Sequence, residues 1–349
     1  MRRATANALI SLTSALVCLV ALELILRAYP LLLGDVYANG VLSKYTNREG
    51  GIFYYDPALA MNFMIPNLTT RMYYNRYVWT HETDGLGFRN RGPITPADVL
   101  LVGDSLIYGH GVEYEHTVGH LLHQITGLRV ANLGRQGDCA YQEAYLLTAF
   151  LPEIRAPYVF YHFTENDISD LSVYLTDDQM RAFVATPVAA IRYPTRTPAA
   201  EALRKRSEDR RRQSLFKRFK DGSYVCKMFR FIRQTYGRSE AHAGPAETDE
   251  ESLGWRYTRH AIRYMREVSR RGGATLVVVP LTPHQPDQYR ILKKIAVEYG
   301  LPFLDTASLK AADASLWLAR DGHLSPDGAR RLAELEAAFL NSRGLLSSR

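Results

Sequence analysis

Apolar positions follow three regimes along this chain. The first is a near-continuous run, ALISLTSALVCLVALELIL, from Ala8 to Leu26. At about 1.5 Å per residue these nineteen residues nearly span the hydrocarbon layer of a bilayer. The second regime, residues 35–95, is rich in Tyr, Asn and Gly and carries no long period. Short strands and turns fit it, with Asp56-Pro57, Pro66-Asn67 and Asp84-Gly85 as punctuation. The third begins near Pro96, where short apolar runs alternate with amphipathic stretches. Strands are predicted at 99–102, 129–133, 157–163, 274–281 and 301–304. Helices are predicted at 117–125, 141–150, 255–270, 285–299 and 326–340.

Strands this short and buried, separated by helices, predict a parallel sheet with right-handed crossovers. The expected fold is a three-layer α/β/α sandwich, flavodoxin-like, preceded by a transmembrane helix. The rhythm breaks over 168–250, which holds Pro194, Pro198, a basic run and a Gly/Pro/Glu-rich stretch from Gly237 to Glu251. The expected organisation is a signal-anchor segment (1–34), a lead-in packing on the core (35–96) and a main α/β domain (97–345) with an insertion or cap at 168–250.

The N-terminal run admits two readings. One is a retained signal anchor. The other is a cleaved signal peptide with Val36-Tyr37-Ala38 as a small-x-small site. The anchor is preferred, because the run is long for a signal peptide and the site lies far from its end. Glu23 is the awkward member, and Arg27 at i+4 is its expected partner. Arg2, Arg3 and the amine bias the N-terminus to the cytoplasm. The bulk of the chain is then extracytoplasmic, on a single pass through the membrane.

The net charge of +7 is concentrated. Residues 201–230 carry eleven Lys/Arg against four Asp/Glu, an excess equal to that of the whole chain. A nucleic-acid-binding fold would spread its basic face more widely, so nucleic acid is not an expected partner. A helix over 204–220 would set Leu215, Phe216 and Phe219 on one side among cations, which suits an anionic surface; a solvated basic loop is the bland alternative. Of Cys18, Cys139 and Cys226, only the last two are open to a bridge. No metal site or cofactor is expected.

Polar residues cluster where the strands end. Gly103-Asp104-Ser105 follows the first strand, Asn132-Leu133-Gly134 the second and Thr164-Glu165-Asn166-Asp167 the third; Asp321-Gly322-His323 precedes the last helix. Ligands collect at such ends in open parallel sheets. A serine there, with a histidine and a carboxylate within reach, has the makings of nucleophilic acyl chemistry. In these four blocks, in this order, the chain resembles the SGNH/GDSL hydrolase superfamily. The likeness covers roughly 97–340 outside the insertion. Upstream, Thr83 to Asn90 is similar to a segment of membrane-anchored bacterial members, and this resemblance implies a bacterial inner membrane as the site of the anchor.

The resemblance implies a serine esterase or acyl hydrolase acting on an O-acylated small molecule, lipid or glycan. Ser105 is the expected nucleophile, His323 the base and then the acid, and Asp321 the residue that orients the imidazole. The expected oxyanion donors are the N–H groups of Ser105 and Gly134 and the amide of Asn166. Two departures stand out. The acid and base are spaced Asp-x-His where Asp-x-x-His is commoner, a spacing similar to that of polysaccharide O-acetyltransferases. Thr164 stands where many members have glycine. Transfer of an acyl group to an envelope glycan is therefore an alternative, and a non-catalytic envelope scaffold or carbohydrate-binding protein another.

The remaining polar residues have duller expectations. Asp104 reads as a cap, Asp167 as structural and His162 as a packed core histidine. His110, His116, His120 and His123 read as surface or pocket-rim residues, and His284 as a candidate cleft residue.

Overall fold

The computed structural model of the chain describes residues 2–48, 50–92, 94–237, 249–282, 285–310 and 312–345. His284 and most of the Gly/Pro/Glu-rich stretch lie outside the described residues. The chain opens with helix α1 (Arg2–Ala28) and a short helix α2 (Gly34–Leu42). Within α1, Thr5–Ala28 has the length and apolar composition of a membrane anchor or a signal sequence.

Two antiparallel hairpins follow, β1 (Phe53–Asp56) with β2 (Met61–Met64), and β3 (Thr69–Tyr74) with β4 (Tyr77–Glu82). Asn75 and Arg76 close the second hairpin with φ of 47° and 70°. That is the mirror-image two-residue turn whose twist matches its strands, and Asn adopts it at low cost.

The core sheet is parallel, in the order β6-β5-β7-β8. β5 is Val99–Val102, β6 Val130–Asn132, β7 Tyr158–Phe163 and β8 Thr275–Pro280. Alternation along the strands separates two layers. Val99, Leu101, Phe160, Val277 and Val279 face helices α4 (Val118–Thr126) and α14 (Pro326–Ser342). Leu100, Val102, Val159, Tyr161 and Val278 face α5 (Ala140–Ile154), α12 (Leu253–Arg271) and α13 (Pro286–Glu298). The chain steps from β5 outward to β6, then back across β5 to β7. Right-handed crossovers put the two connections on opposite faces, and the reversal opens a crevice at the carboxyl end of β5.

The expected fifth strand at 301–304 is reduced to a single bridge between Val278 and Phe303. Pro302 accepts from Val278 N at 2.9 Å but has no N–H to extend the ladder.

The insertion is helical. After the short α6 (Asn166–Ser169) and α7 (Leu171–Tyr174) come α8 (Asp177–Ala185), α9 (Ala199–Arg212), α10 (Leu215–Gly222) and α11 (Tyr224–Gly237). The basic run is thus two helices, broken at Gln213-Ser214, where the Ser214 hydroxyl caps α10 by accepting from Lys217 N at 3.2 Å. Leu26 of α1, Tyr37 and Val41 of α2, and Val225 of α11 bury one another in a small core of their own. Glu23 is explained by this packing. Its carboxylate accepts from Ser223 Oγ (2.8 Å), Tyr224 N (3.0 Å) and Val225 N (2.9 Å), capping α11 from another helix, and from the expected Arg27 Nε at 2.8 Å.

All three cysteines are free, so the 139–226 bridge does not form. Cys139 is buried at the start of α5, where its N–H donates to Gln142 Oε1 at 3.1 Å.

Candidate active site

β5 delivers Gly103 and Asp104 to the crevice, and the chain turns at once into α3 (Ser105–Tyr108). Asp104 caps that turn, accepting from Leu106 N at 2.9 Å. Ser105 is left half-buried at the first helical position. Its Oγ lies 2.7 Å from His323 Nε2. On the other side of the ring, His323 Nδ1 hydrogen-bonds Asp321 Oδ1. Ser325, with Pro326 behind it, starts α14 two residues later and fixes the loop from below, its Oγ accepting from Gly328 N at 3.1 Å. The short Asp-x-His spacing closes because the loop folds on itself, Leu318 N donating to His323 O at 2.8 Å and Asp321 N to Leu318 O at 2.9 Å.

Asp321 is caged by three donors. Besides His323, Asn75 Nδ2 reaches its Oδ2 at 3.1 Å and His110 Nε2 at 3.3 Å. Burial alone would raise its pKa, but the hydrogen bonds from His110 and His323 hold it well below the usual carboxylate range. It remains an anion, as an imidazole-orienting residue must.

His110 is the largest correction to the sequence-based picture. It is buried, not on a rim. Its ring stacks on His323 with centroids 4.0 Å apart and planes 16° from parallel. Tyr45 OH meets its Nδ1 at 3.0 Å. Burial pushes its pKa down, so it is held neutral. One signal was visible in the sequence: His110 stands between Gly109 and Gly111, both at positive φ (81° and 78°), a device for turning one side chain inward. One ring nitrogen each from His110 and His323 and an oxygen of the Asp321 carboxylate lie within 4.8 Å of one another. Two of the contacts among these residues are hydrogen bonds, which suits a relay. His116 and His123 are exposed, and His120 is half-buried against Tyr114. His162 is a core residue, between Val102 O (3.0 Å) and Glu336 Oε1 (2.5 Å).

The lead-in is part of the site as well as a packing layer, since Tyr45 and Asn75 belong to it. Its Arg89 is buried and gives its guanidinium to four carbonyls: Gly109 (2.6 Å), Val112 (2.7 Å), Thr80 (2.9 Å) and Tyr108 (3.3 Å). That grip holds the loop carrying His110. Asn90 clamps the end of β6, accepting from Asn132 N at 2.9 Å and donating to Asn132 O at 3.0 Å.

The glycine expected to donate to an oxyanion is otherwise engaged. Gly134 N donates to Asn132 Oδ1 at 2.8 Å. A methyl group at 134 would sit 2.4 Å from Tyr108 N, so glycine is required there for close packing under α3. Three residues on, Gly137 is half-exposed with φ of 74°. Neither its N–H nor that of Ser105 has a protein acceptor among the described residues. Asn166 Nδ2 donates to Asp138 O at 2.9 Å, which ties the Asn166 amide to the same turn. The loop is braced from inside by Arg135, whose Nε and Nη2 meet Asp138 at 2.7 and 2.9 Å. Two glycines three residues apart give a sequence no means of choosing between them.

Thr164, the departure from glycine, puts its hydroxyl between Asn166 Oδ1 and Asp104 Oδ2 (3.1 Å), which fixes the amide's orientation. Beneath it, Asp167 accepts from Thr164 N at 3.0 Å and Tyr161 OH at 3.1 Å. Burial pushes Asp167 up to about 8 against the lowering hydrogen bond from Glu143, and Glu143 is raised well above the carboxylate range by its own burial and the Asp167 charge. The two acids share protons at neutral pH, and Asp167 is structural as expected.

No protein-family model matches the chain, and none of the curated proteins does. Among solved structures it is similar to a lipolytic protein of the G-D-S-L family from Desulfitobacterium hafniense DCB-2, at 14% identity over 69% of this chain and 97% of that one, TM-score 0.37. It is similar to the lipase/acylhydrolase from Enterococcus faecalis, at 13% identity over 70% and 95%, TM-score 0.36. A Clostridium thermocellum family 3 carbohydrate esterase is similar at 14% identity over 71% and 98%, TM-score 0.40. In motif order the chain resembles the SGNH/GDSL superfamily.

Proposed function

We propose that this protein is a serine-dependent hydrolase of an O-acyl ester. The observation that carries the proposal is the continuous relay from Ser105 Oγ through His323 to Asp321, assembled from positions 218 residues apart. In this reading His323 Nε2 takes the Ser105 proton as Oγ attacks the ester carbonyl. The tetrahedral oxyanion receives hydrogen bonds from the N–H groups of Ser105 and Gly137 and from Asn166 Nδ2. The imidazolium, steadied by Asp321, protonates the leaving alcohol. Water, activated by the same imidazole, then releases the acyl group and restores Ser105.

The N-terminal helix serves as a retained anchor, with the catalytic fold on the extracytoplasmic side. Packing supports retention over cleavage. Tyr37 and Ala38, in the small-x-small site, are buried on α2, and cleavage there would remove Leu26 and Glu23 from their partners on α11.

The test is covalent labelling of the full chain by a fluorophosphonate, together with turnover of short-chain aryl esters. Ser105→Ala should abolish both at matched folded protein. Equal labelling or turnover by that variant would assign the chemistry elsewhere.

A further inference from the structure

A large cavity lies away from Ser105, which is not among its lining residues. It lies between α2 and the loop after it on one side and α9, α10 and α11 on the other, with a volume of about 1360 Å³. Nine Lys and Arg side chains line it against three carboxylates, Glu201, Asp209 and Asp221. Part of this charge is spent internally: Arg48 and Arg230 both approach Asp221 at 3.6 Å. Among the described residues, no carboxylate pairs with Lys205, Lys217 or Lys227. Burial, and then the neighbouring Arg230 and Arg27 cations, push the Lys227 pKa down.

The cavity's position argues for its occupant. Gly222 and Tyr224, on its wall, sit at the exit of α1: Arg27 Nη2 donates to Gly222 O at 3.3 Å, and Glu23 holds Tyr224 N. The outer face of α10 carries Leu215, Phe216 and Phe219 at 81%, 75% and 66% exposure. Leu32 and Val36, just after α1, are also exposed. Apolar side chains around the end of an apolar helix, beside a cationic hollow, match the boundary of acyl chains and phosphates.

We propose that this cavity binds the phosphate headgroup of an anionic membrane phospholipid, with the apolar face of α10 dipping into the same leaflet. The proposal rests on α1 as a membrane anchor and is independent of Ser105 chemistry. The lipid is a docking ligand that holds the insertion, and through it the lead-in, against the bilayer. On the cavity's inner wall, Tyr45 hydrogen-bonds His110, so a seated headgroup lies one residue from the buried side of the relay.

The test uses the full chain in uncharged detergent, with native mass spectrometry counting retained dioleoyl phosphatidylglycerol or phosphatidylcholine. The wild type should retain one phosphatidylglycerol in preference to phosphatidylcholine by about tenfold, less at high salt. Lys205→Gln with Lys217→Gln and Lys227→Gln should abolish the preference, whereas Lys293→Gln with Lys310→Gln and Arg330→Gln should keep it. Ser105→Ala should bind as the wild type does, and carbonate extraction of membranes reads anchoring separately. Equal retention of the two lipids, or no effect of salt, would overturn the site even if the triple variant failed to fold. Displacement of the lipid by an equal concentration of glycerol 1-phosphate would overturn the membrane source and leave a site for soluble phosphates.

Discussion

At the residue scale, the second histidine matters most. His110 touches Asp321 through one nitrogen and Tyr45 through the other, and its ring lies flat against His323. It contacts no proposed reacting atom, so it is a positioning residue. His110→Phe preserves the stack and roughly the volume while deleting the hydrogen bond to the carboxylate. A hydrogen bond to a charged group contributes about 1.5–3 kcal/mol, so kcat should fall about ten- to a hundredfold with KM little changed. With one donor gone, Asp321 stabilises the imidazolium differently, and the acid limb of the pH–rate profile should move. A fall in folded fraction with an unmoved pH limb would make His110 a packing residue only. Ser105, His323, Asp321 and Asn166 were legible because each sits at a strand end or a late loop, a place set by topology. His110 and Gly137 were not, because the roles proposed for them depend on which way a side chain or an N–H points inside a loop.

At the element scale, the strands and helices of the core were largely legible, since their apolar periods match the layer each one packs into. The weak fifth strand failed on a single residue, Pro302. The lead-in's part in the site was hidden, because a hairpin's hydrophobic pattern says nothing about what its turn touches. Under the active-site loops, α5 presents Glu143 to Asp167 at the end of β7. Both acids have pKa values raised by burial, so the folded protein holds protons that the unfolded chain releases near pH 4. Their contribution to stability is complete below the unfolded carboxylate range and declines as pH rises toward about 8, the value for Asp167. The slope is at most about 1.4 kcal/mol per pH unit for each proton retained. Glu143→Gln keeps the shape and removes one titration. Urea midpoints of the variant should therefore depend less on pH between 5 and 8 than those of the wild type. Equal slopes would mean that the pair does not hold its protons in the folded state.

At the scale of the whole molecule, the apolar N-terminal helix and the basic insertion, which look unrelated in sequence, are one unit. Neither the length of α1 nor the charge of α9 and α10 foretells that Glu23 caps α11 across two hundred residues. A carboxylate on an apolar helix reads as a defect until its partners are seen. Those partners are two backbone N–H groups, a serine hydroxyl and Arg27, and Leu26, Tyr37 and Val225 close the same junction. Glu23→Gln keeps one acceptor and loses the charge at a helix N-terminus, a change that costs about 0.5–2 kcal/mol. Because the junction is remote from Ser105, the loss should appear as local opening and not as lost chemistry. Limited trypsin digestion of the membrane-embedded chain should cut within 204–220 faster in Glu23→Gln than in the wild type, with kcat on an aryl ester unchanged. Glu23→Ala should cut faster still. Intact-mass analysis of the wild type should find residues 1–38 retained, since α2 buries the site at which they would be removed. Loss of those residues without faster cutting in 204–220 would show that α11 stands without its cap, and that the anchor and the insertion are separate parts.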